Sequence, residues 1–156
     1  MRILLILTLM AAFCCPAFAQ DVQGPHATLD PSLTKDAVNA IRIGVRWLEE
    51  NQQPNGCWSS PEFPAVTALA VSAILNSPQV LLSSGPRPLS ASQGLSFILS
   101  CVQENGCIYR DIAGMKGGGM PSYNTSICLM ALADAGDASF LHTIARARQC
   151  LINSQY

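Results

Sequence analysis

Two stretches of the chain carry the same pattern at an offset of 50 residues, and this repeat decides the fold. Gly44-Val45-Arg46-Trp47-Leu48 aligns with Gly94-Leu95-Ser96-Phe97-Ile98, and Gln53-Pro54-Asn55-Gly56-Cys57-Trp58 aligns with Gln103-Glu104-Asn105-Gly106-Cys107-Ile108. A third copy begins near Ala147, with Cys150-Leu151-Ile152 in the aromatic-aliphatic position and Gln155 in the glutamine position. Repeats of this length are typical of arrays in which one unit cannot bury its apolar face alone.

Each unit predicts a helix, a turn and a second helix, so the predicted fold class is all-α. In the first helix, which opens at Asp30-Pro31-Ser32, the apolar residues recur at the helical period: Val38, Ile41, Val45 and Leu48. Ser90 and Ser122 are the predicted N-caps of two later helices. We predict antiparallel pairs, Ala37–Gln52 with Ala65–Leu75 and Ala91–Val102 with Tyr123–Ala133, followed by a helix over Ala138–Asn153.

The shared Asn-Gly-Cys triplet predicts the geometry of the turns. Glycine adopts a positive φ without steric cost, so Gly56 and Gly106 are expected in equivalent left-handed or turn conformations. A glutamine beside the turn can bond an orphan carbonyl of its own helix and an orphan N–H of a neighbour. We expect Trp58 to pack over such an amide, that of Gln52 or Gln53.

The first residues predict a secretory signal of residues 1–19. Arg2 is followed by an apolar run over residues 3–13, and Ala17-Phe18-Ala19 supplies small residues for cleavage after Ala19. This run is about half of the ~20 residues that cross a bilayer, which argues against a transmembrane anchor. The chain is therefore expected to be secreted or periplasmic, with a linker over residues 20–33.

The composition of the remaining chain narrows its partners. The loss of Arg2 takes the net charge from −1 to −2, which argues against nucleic acid as the main partner. Charged residues make up 12% of the chain and hydrophobic ones 49%. So few charges indicate a surface covered by further repeats or by an apolar ligand, or else a helical protein with a surface of Ser, Gln, Asn and Ala.

Five cysteines remain after cleavage, and their pairing is open: Cys57, Cys101, Cys107, Cys128 and Cys150. An odd number in an exported chain leaves at least one free or paired outside this sequence. A bridge between Cys57 and Cys107 is disfavoured, because stacked helices lie too far apart. Cys101 and Cys107 are close enough across a turn, but buried free thiols are the favoured interpretation. The spacing predicts no metal site.

The repeat resembles the QW repeat of squalene and oxidosqualene cyclases, which protein prenyltransferase β subunits share more loosely. In this sequence the motif residues are Gly44, Trp47, Gln52, Gln53, Gly56, Trp58, Gly94, Phe97, Gln103, Gly106 and Gln155. The resemblance implies an incomplete α/α toroid over residues 34–156, with repeats at about 36–84, 86–136 and a truncated 138–156. By the same resemblance, Ala65 to Leu75 and Tyr123 to Leu132 are inner helices.

The chemistry that such families use is missing from this sequence. There is no Asp-x-Asp-Asp run, and His26 and His142 lie apart from any cysteine at ligand spacing. Asp134 and Asp137 flank a helix end and are interpreted as capping residues. Tyr109-Arg110-Asp111 follow the second turn, where a solvated loop is favoured over a ligand site. We therefore predict no catalytic, cofactor-binding or metal-binding residue.

Two functions follow as expectations. The first is an exported repeat protein of the cyclase and prenyltransferase type, which acts on isoprenoids only if further C-terminal repeats supply an acid. The alternative is a non-catalytic scaffold that binds an apolar, isoprenoid-like ligand or another protein; a polysaccharide lyase has less support. Since the third repeat is truncated, its helix is expected to lack a partner and to open an apolar face of Phe140, Leu141, Ile144 and Leu151.

Overall fold

The computed structural model describes residues 30–115 and 118–155, and within these ranges the regular elements are helical. They are α1 (Pro31–Glu50), α2 (Pro64–Leu75), α3 (Pro78–Leu81), α4 (Leu89–Ser100), α5 (Pro121–Asp134) and α6 (Leu141–Asn153), with a 3-10 turn over Ala138–Phe140. The only β pairing among the described residues is an isolated bridge between Val102 and Ile108. The all-α prediction is confirmed, whereas the predicted signal segment lies outside the described residues.

The start of each helix refines the predicted boundaries. α1 begins at Pro31, so the last three residues of the predicted linker are helical. The predicted caps Ser90 and Ser122 are wrong, because Pro88 precedes α4 and Met120, in a left-handed conformation, precedes Pro121 of α5. Both serines lie inside their helices. No described helix is long and apolar enough to span a membrane.

The helices pair differently from the prediction. α2 and α5 pack side by side, α4 packs chiefly against α2, and α6 packs against α5. The predicted pair of α4 with α5 is wrong as the principal packing, since α4 and α6 each pack against a helix of the preceding unit, whereas α1 contacts α2 of its own unit. Gly94 explains this pairing, because its missing side chain lets the α4 backbone approach Val71 of α2.

A single apolar core runs through these helices. Its largest fully buried apolar side chains come from the inner helices, from α4 and from the second turn: Val71, Ile74, Leu95, Ile98, Ile108 and Leu132. Small residues such as Ala68 and Ala131 are also fully buried, which allows the helices to approach closely. Burial of this apolar surface is the main favourable contribution to folding.

Polar side chains join the ends of the inner helices. Asn76 after α2 donates from Nδ2 to Asp134 at the end of α5 (3.1 Å). Asp137 accepts from the backbone N–H (2.9 Å) and hydroxyl (2.7 Å) of Ser139, and these bonds hold the pKa of the Asp137 carboxyl below its usual range. Arg87, which lies between α3 and α4, forms an ion pair with Asp137 at 3.4 Å. The predicted capping role of Asp137 is thus confirmed.

The last helix is packed rather than open. Ala147 and Cys150 of α6 are buried, and Phe140, Ile144 and Leu151 are half-buried, which leaves Leu141 as the exposed member of the predicted face. The expectation that this helix lacks a partner is wrong, because α5 of the preceding unit covers it. Several exposed apolar side chains lie along α1, where Leu33, Val38, Ile41 and Trp47 are all exposed.

A disulfide joins the second turn to the third unit. Cys107 bonds to Cys150 of α6 with a Cα–Cα distance of 5.4 Å. The alternative bridge from Cys101 to Cys107 is not formed, and Cys57, Cys101 and Cys128 are buried free thiols. The favoured interpretation of buried free thiols is therefore wrong for Cys107 and Cys150, because their contact depends on α6 resting against the turn of the preceding unit.

Loss of this disulfide should destabilise the fold. The bridge closes a loop with a sequence separation of 43 residues, and the entropy of such a loop corresponds to about 4 kcal/mol. We expect Cys150→Ser to lower the free energy of unfolding by about 2–4 kcal/mol, measured by urea denaturation without reductant. Reductant should lower the free energy of unfolding of the wild type by the same amount and leave that of the variant unchanged. Equal midpoints for the two oxidised proteins would contradict this assignment.

Candidate functional site

The two turns of the repeat share one hydrogen-bonding pattern. Gly56 donates to the Gln53 carbonyl and Gly106 to the Gln103 carbonyl, both at 2.9 Å. The asparagine before each glycine accepts from the N–H of the following cysteine, at 3.1 Å in the first turn and 3.0 Å in the second. Gly56 and Gly106 have φ angles of +85° and +86°. The predicted left-handed conformation is therefore confirmed at both positions.

The glutamines of the motif bond backbone carbonyls around these turns. Gln52 Nε2 donates to Gly56 and to Ser90 of the next unit, both at 2.9 Å, and so links two repeats. Gln53 and Gln103 occupy equivalent places, since they donate to the carbonyls of Ser59 and Tyr109. Val102 therefore stands where the first unit has Gln52. Gln155 is exposed in the turn after α6.

Trp58 is buried, and its polar groups are satisfied. Its indole N–H donates to the Leu48 carbonyl at 2.8 Å, and its backbone N–H donates to the Thr67 hydroxyl at 3.1 Å. In the second unit Ile108 donates to the hydroxyl of Thr125 at 2.8 Å. These two matching contacts make Thr67 of α2 and Thr125 of α5 equivalent positions. Stacking of the indole on a glutamine amide stays a prediction.

Each turn lies against the backbone of the next outer helix. A Cβ added at Gly56 would lie 2.6 Å from the Gln93 carbonyl oxygen, and one at Gly106 would lie 2.9 Å from that of Arg146. The residue after each carbonyl is small, Gly94 and Ala147, and both are buried. Gln93 of α4 and Arg146 of α6 are therefore equivalent positions, 53 residues apart. By the same offset, Phe97 is equivalent to Cys150.

Trp47, Phe97 and Cys150 occupy equivalent positions in α1, α4 and α6, which we call the anchor position. Its exposure distinguishes α1 from the other two helices. Phe97 is 6% exposed and Cys150 is 5% exposed, whereas Trp47, their counterpart in α1, is 60% exposed. The neighbouring positions agree, because a Cβ added at Gly94 would collide with Val71 and Trp58, whereas one added at Gly44 would meet no atom outside the nearby backbone of its own helix within 4 Å. The face of α1 that a preceding unit would cover is thus exposed.

The inner helix α2 has an exposed face at the same end of the array. Val66 and Leu69 are 40% and 47% exposed, and Ala73 is exposed beside them. When Thr67 is aligned with Thr125, the equivalent residues of α5 are Asn124, Ile127 and Ala131. These three residues are buried or half-buried. We call the exposed surface of Ile41, Gly44, Trp47, Val66, Leu69 and Ala73 the α1–α2 edge.

An open groove of about 580 Å³ runs along the α1–α2 edge. Its lining is largely apolar and includes Trp47, Trp58, Val66 and Leu69, together with the polar residues Asn51 and Ser59. Such a lining suits an apolar surface better than a charged substrate.

Asn124 is an important residue that the sequence analysis missed. Its side chain is fully buried, accepts from the Ala65 N–H at the start of α2 (3.0 Å) and donates to the Gly119 carbonyl (2.7 Å). It thereby satisfies an orphan donor of one inner helix from the next. An asparagine after a proline and a serine carries no sequence signal that separates this role from an exposed helical position.

A second, smaller cavity of about 440 Å³ lies beside the second turn. Arg110, Asp111 and Glu62 line it. Arg110 is held by Cys101 Sγ (3.2 Å) and Ser100 Oγ (3.1 Å), and it lies 5.6 Å from the Phe97 ring centroid. These contacts account for the Arg110 side chain as a packing element. Residues 109–111 are expected in a solvated loop, and Arg110 and Asp111 are exposed while Tyr109 is half-buried.

The free thiols are consistent with structural roles. Burial, and secondarily the Cys101 thiol, raise the pKa of the Cys128 thiol far above its usual range, so that Cys128 stays protonated. Cys57 lies in the first turn, where its Sγ is 3.5 Å from Gln53 Oε1. No group of three or more His, Cys, Asp or Glu side chains is arranged to hold a metal ion within residues 30–115 and 118–155.

Comparisons with protein families, with curated proteins and with solved structures gave no match to this chain.

Two glycine substitutions test the difference between the covered and the exposed outer helix. In Gly94→Ala the new methyl group would lie 2.5 Å from Val71 Cγ2 and 3.0 Å from Trp58 Cζ3, so we expect a loss of about 1–3 kcal/mol in unfolding free energy. In Gly44→Ala no atom outside the nearby backbone of its own helix lies within 4 Å of the new methyl group, so the better helix propensity should give a gain of up to about 1 kcal/mol. Thermal unfolding measures both, and equal effects would refute the distinction.

Proposed function

We propose that this chain is a non-catalytic helical-repeat scaffold of the squalene cyclase and prenyltransferase type that binds an apolar partner through the α1–α2 edge. The observation that carries this proposal is the exposure of Trp47, whose counterparts Phe97 and Cys150 are buried. A tryptophan at an anchor position is the kind of residue that dominates binding interfaces.

The arrangement of the helices supports the repeat-class part of the proposal. α2 packs against α5, α4 packs against α2, and α6 packs against α5. We take these helices to be an arc of an α/α toroid, in which the QW-type turns join successive units. Export through the signal segment of residues 1–19 belongs to the same proposal.

The groove supports binding rather than catalysis as the role of the described residues. Its largely apolar lining offers contact area, and Asn51 and Ser59 offer a few hydrogen bonds. An isoprenoid-like chain is the alternative occupant, because the rings of Trp47 and Trp58 border the groove. The cyclase alternative additionally requires an acid from further residues.

Dye binding tests the α1–α2 edge as a binding surface. In the protein of residues 20–156, we expect Trp47→Ser to weaken binding of anilinonaphthalene sulfonate roughly fivefold to tenfold, because an apolar anchor of about 1 kcal/mol or more is removed. Leu82→Ser is the matched control, since Leu82 is 87% exposed and does not line this groove. Fluorescence titration measures the affinity of each variant.

Two outcomes would count against this proposal. Equal dye affinity in the wild type and Trp47→Ser would remove the edge as a binding surface. Conversion of squalene or of an isoprenoid diphosphate by the wild type would show that the protein is an enzyme.

A further inference from the structure

We propose that the occupant of the α1–α2 edge is another helical repeat unit, which supplies an inner helix and an Asn-Gly-Cys turn in the same register as the units of this chain. This inference rests on the proposed function, because it names the partner of the same surface. The chain itself shows what such a partner looks like, since two of its own interfaces cover the equivalent positions.

The outer helix supplies the first argument. On α4, the turn of the preceding unit reaches the Gln93 carbonyl through Gly56, and Trp58 and Val71 close over Gly94. On α6, Gly106 reaches the Arg146 carbonyl in the same way. The equivalent residues of α1 are Ile43, Gly44 and Trp47, and all three are exposed. The glycine at position 44 leaves room for a partner that approaches as closely as Val71 approaches Gly94.

The inner helix supplies a second and independent argument. Asn124 of α5 accepts from the Ala65 N–H of α2, and Ala131, seven residues further along the same face, is fully buried. The counterparts on α2 are Val66 and Ala73, which are exposed. A preceding inner helix would therefore meet α2 through an apolar face, where α5 meets α2 partly through the Asn124 amide.

The apolar character of the edge also favours an apolar protein surface over a charged ligand. Its members, Ile41, Gly44, Trp47, Val66, Leu69 and Ala73, carry no charged side chain. Outer and inner helix are exposed at the same end of the array, so one helix pair can cover both. A repeat unit has that shape, since each interface in a repeat array joins nearest neighbours.

A tandem duplication tests the inference. A second copy of residues 39–88 is inserted directly after Pro88 in the protein of residues 20–156, which preserves the 50-residue offset between Trp47 and Phe97. In the second copy, Trp47→Cys places a thiol where Cys150 lies relative to Cys107. We expect this thiol to form a disulfide with Cys57 of the first copy, as mapped by mass spectrometry of the unreduced digest.

The single-copy protein with Trp47→Cys is the matched control. There the introduced thiol should stay free and react with a maleimide at least roughly tenfold faster than in the duplicated protein, since a buried group reacts only through local opening. Gly44→Leu in the second copy should block the disulfide, because a side chain at this position collides with the preceding unit. The same substitution in the single-copy protein should leave its unfolding midpoint unchanged or higher.

Several outcomes would overturn the inference. A freely reacting thiol in the duplicated protein, or a duplicated protein without a cooperative unfolding transition, would show that the edge does not accept a repeat in this register. A wild-type dimer by light scattering that Trp47→Ser abolishes would make the same edge of a second copy, rather than a repeat unit with its turn, the occupant. If the disulfide fails while dye binding still depends on Trp47, the inference fails and the proposed function stands; if dye binding is also independent of Trp47, both fail.

Discussion

The structure depends on one close approach, that of each turn glycine to the backbone of the next outer helix. Gly56 lies against the Gln93 carbonyl and Gly106 against that of Arg146, at distances that leave no room for a Cβ. The positive φ of these glycines and the bond from each asparagine to the next cysteine form one rigid turn. Because this contact joins different units, the stability of one unit depends on the presence of the next, as expected for a repeat array.

Buried polar groups fix the positions of α2 and α5 relative to the two turns. Thr67 and Thr125 accept from the backbone at the ends of the two turns, and Asn124 satisfies the start of α2 from α5. These groups are fully buried, so loss of one partner would leave an unsatisfied polar group at a cost of about 1–3 kcal/mol. The disulfide of Cys107 and Cys150 adds a covalent link at the second interface.

Much of the fold could be predicted from the sequence, because the repeat is a local pattern. The helices, the left-handed glycines and the capping role of Asp137 follow from residue types that act within a few positions. The pairing of α4 with α2, the disulfide and Asn124 could not be predicted, since they depend on which unit lies next to which. The same limit applies to Trp47, which the motif marked as structural, whereas its exposure at the end of the array makes it the central residue of the candidate binding surface.

The central claim is that successive units dock in one register, from which the role of Trp47 follows. The most direct measurement introduces Phe97→Cys, which gives the first interface the arrangement that Cys107 and Cys150 have at the second. The account predicts a disulfide between the introduced thiol and Cys57, which is otherwise a free buried thiol, found in the unreduced digest alongside the native bridge. An introduced thiol that remains free, or that bonds to Cys101 instead, would contradict the shared register.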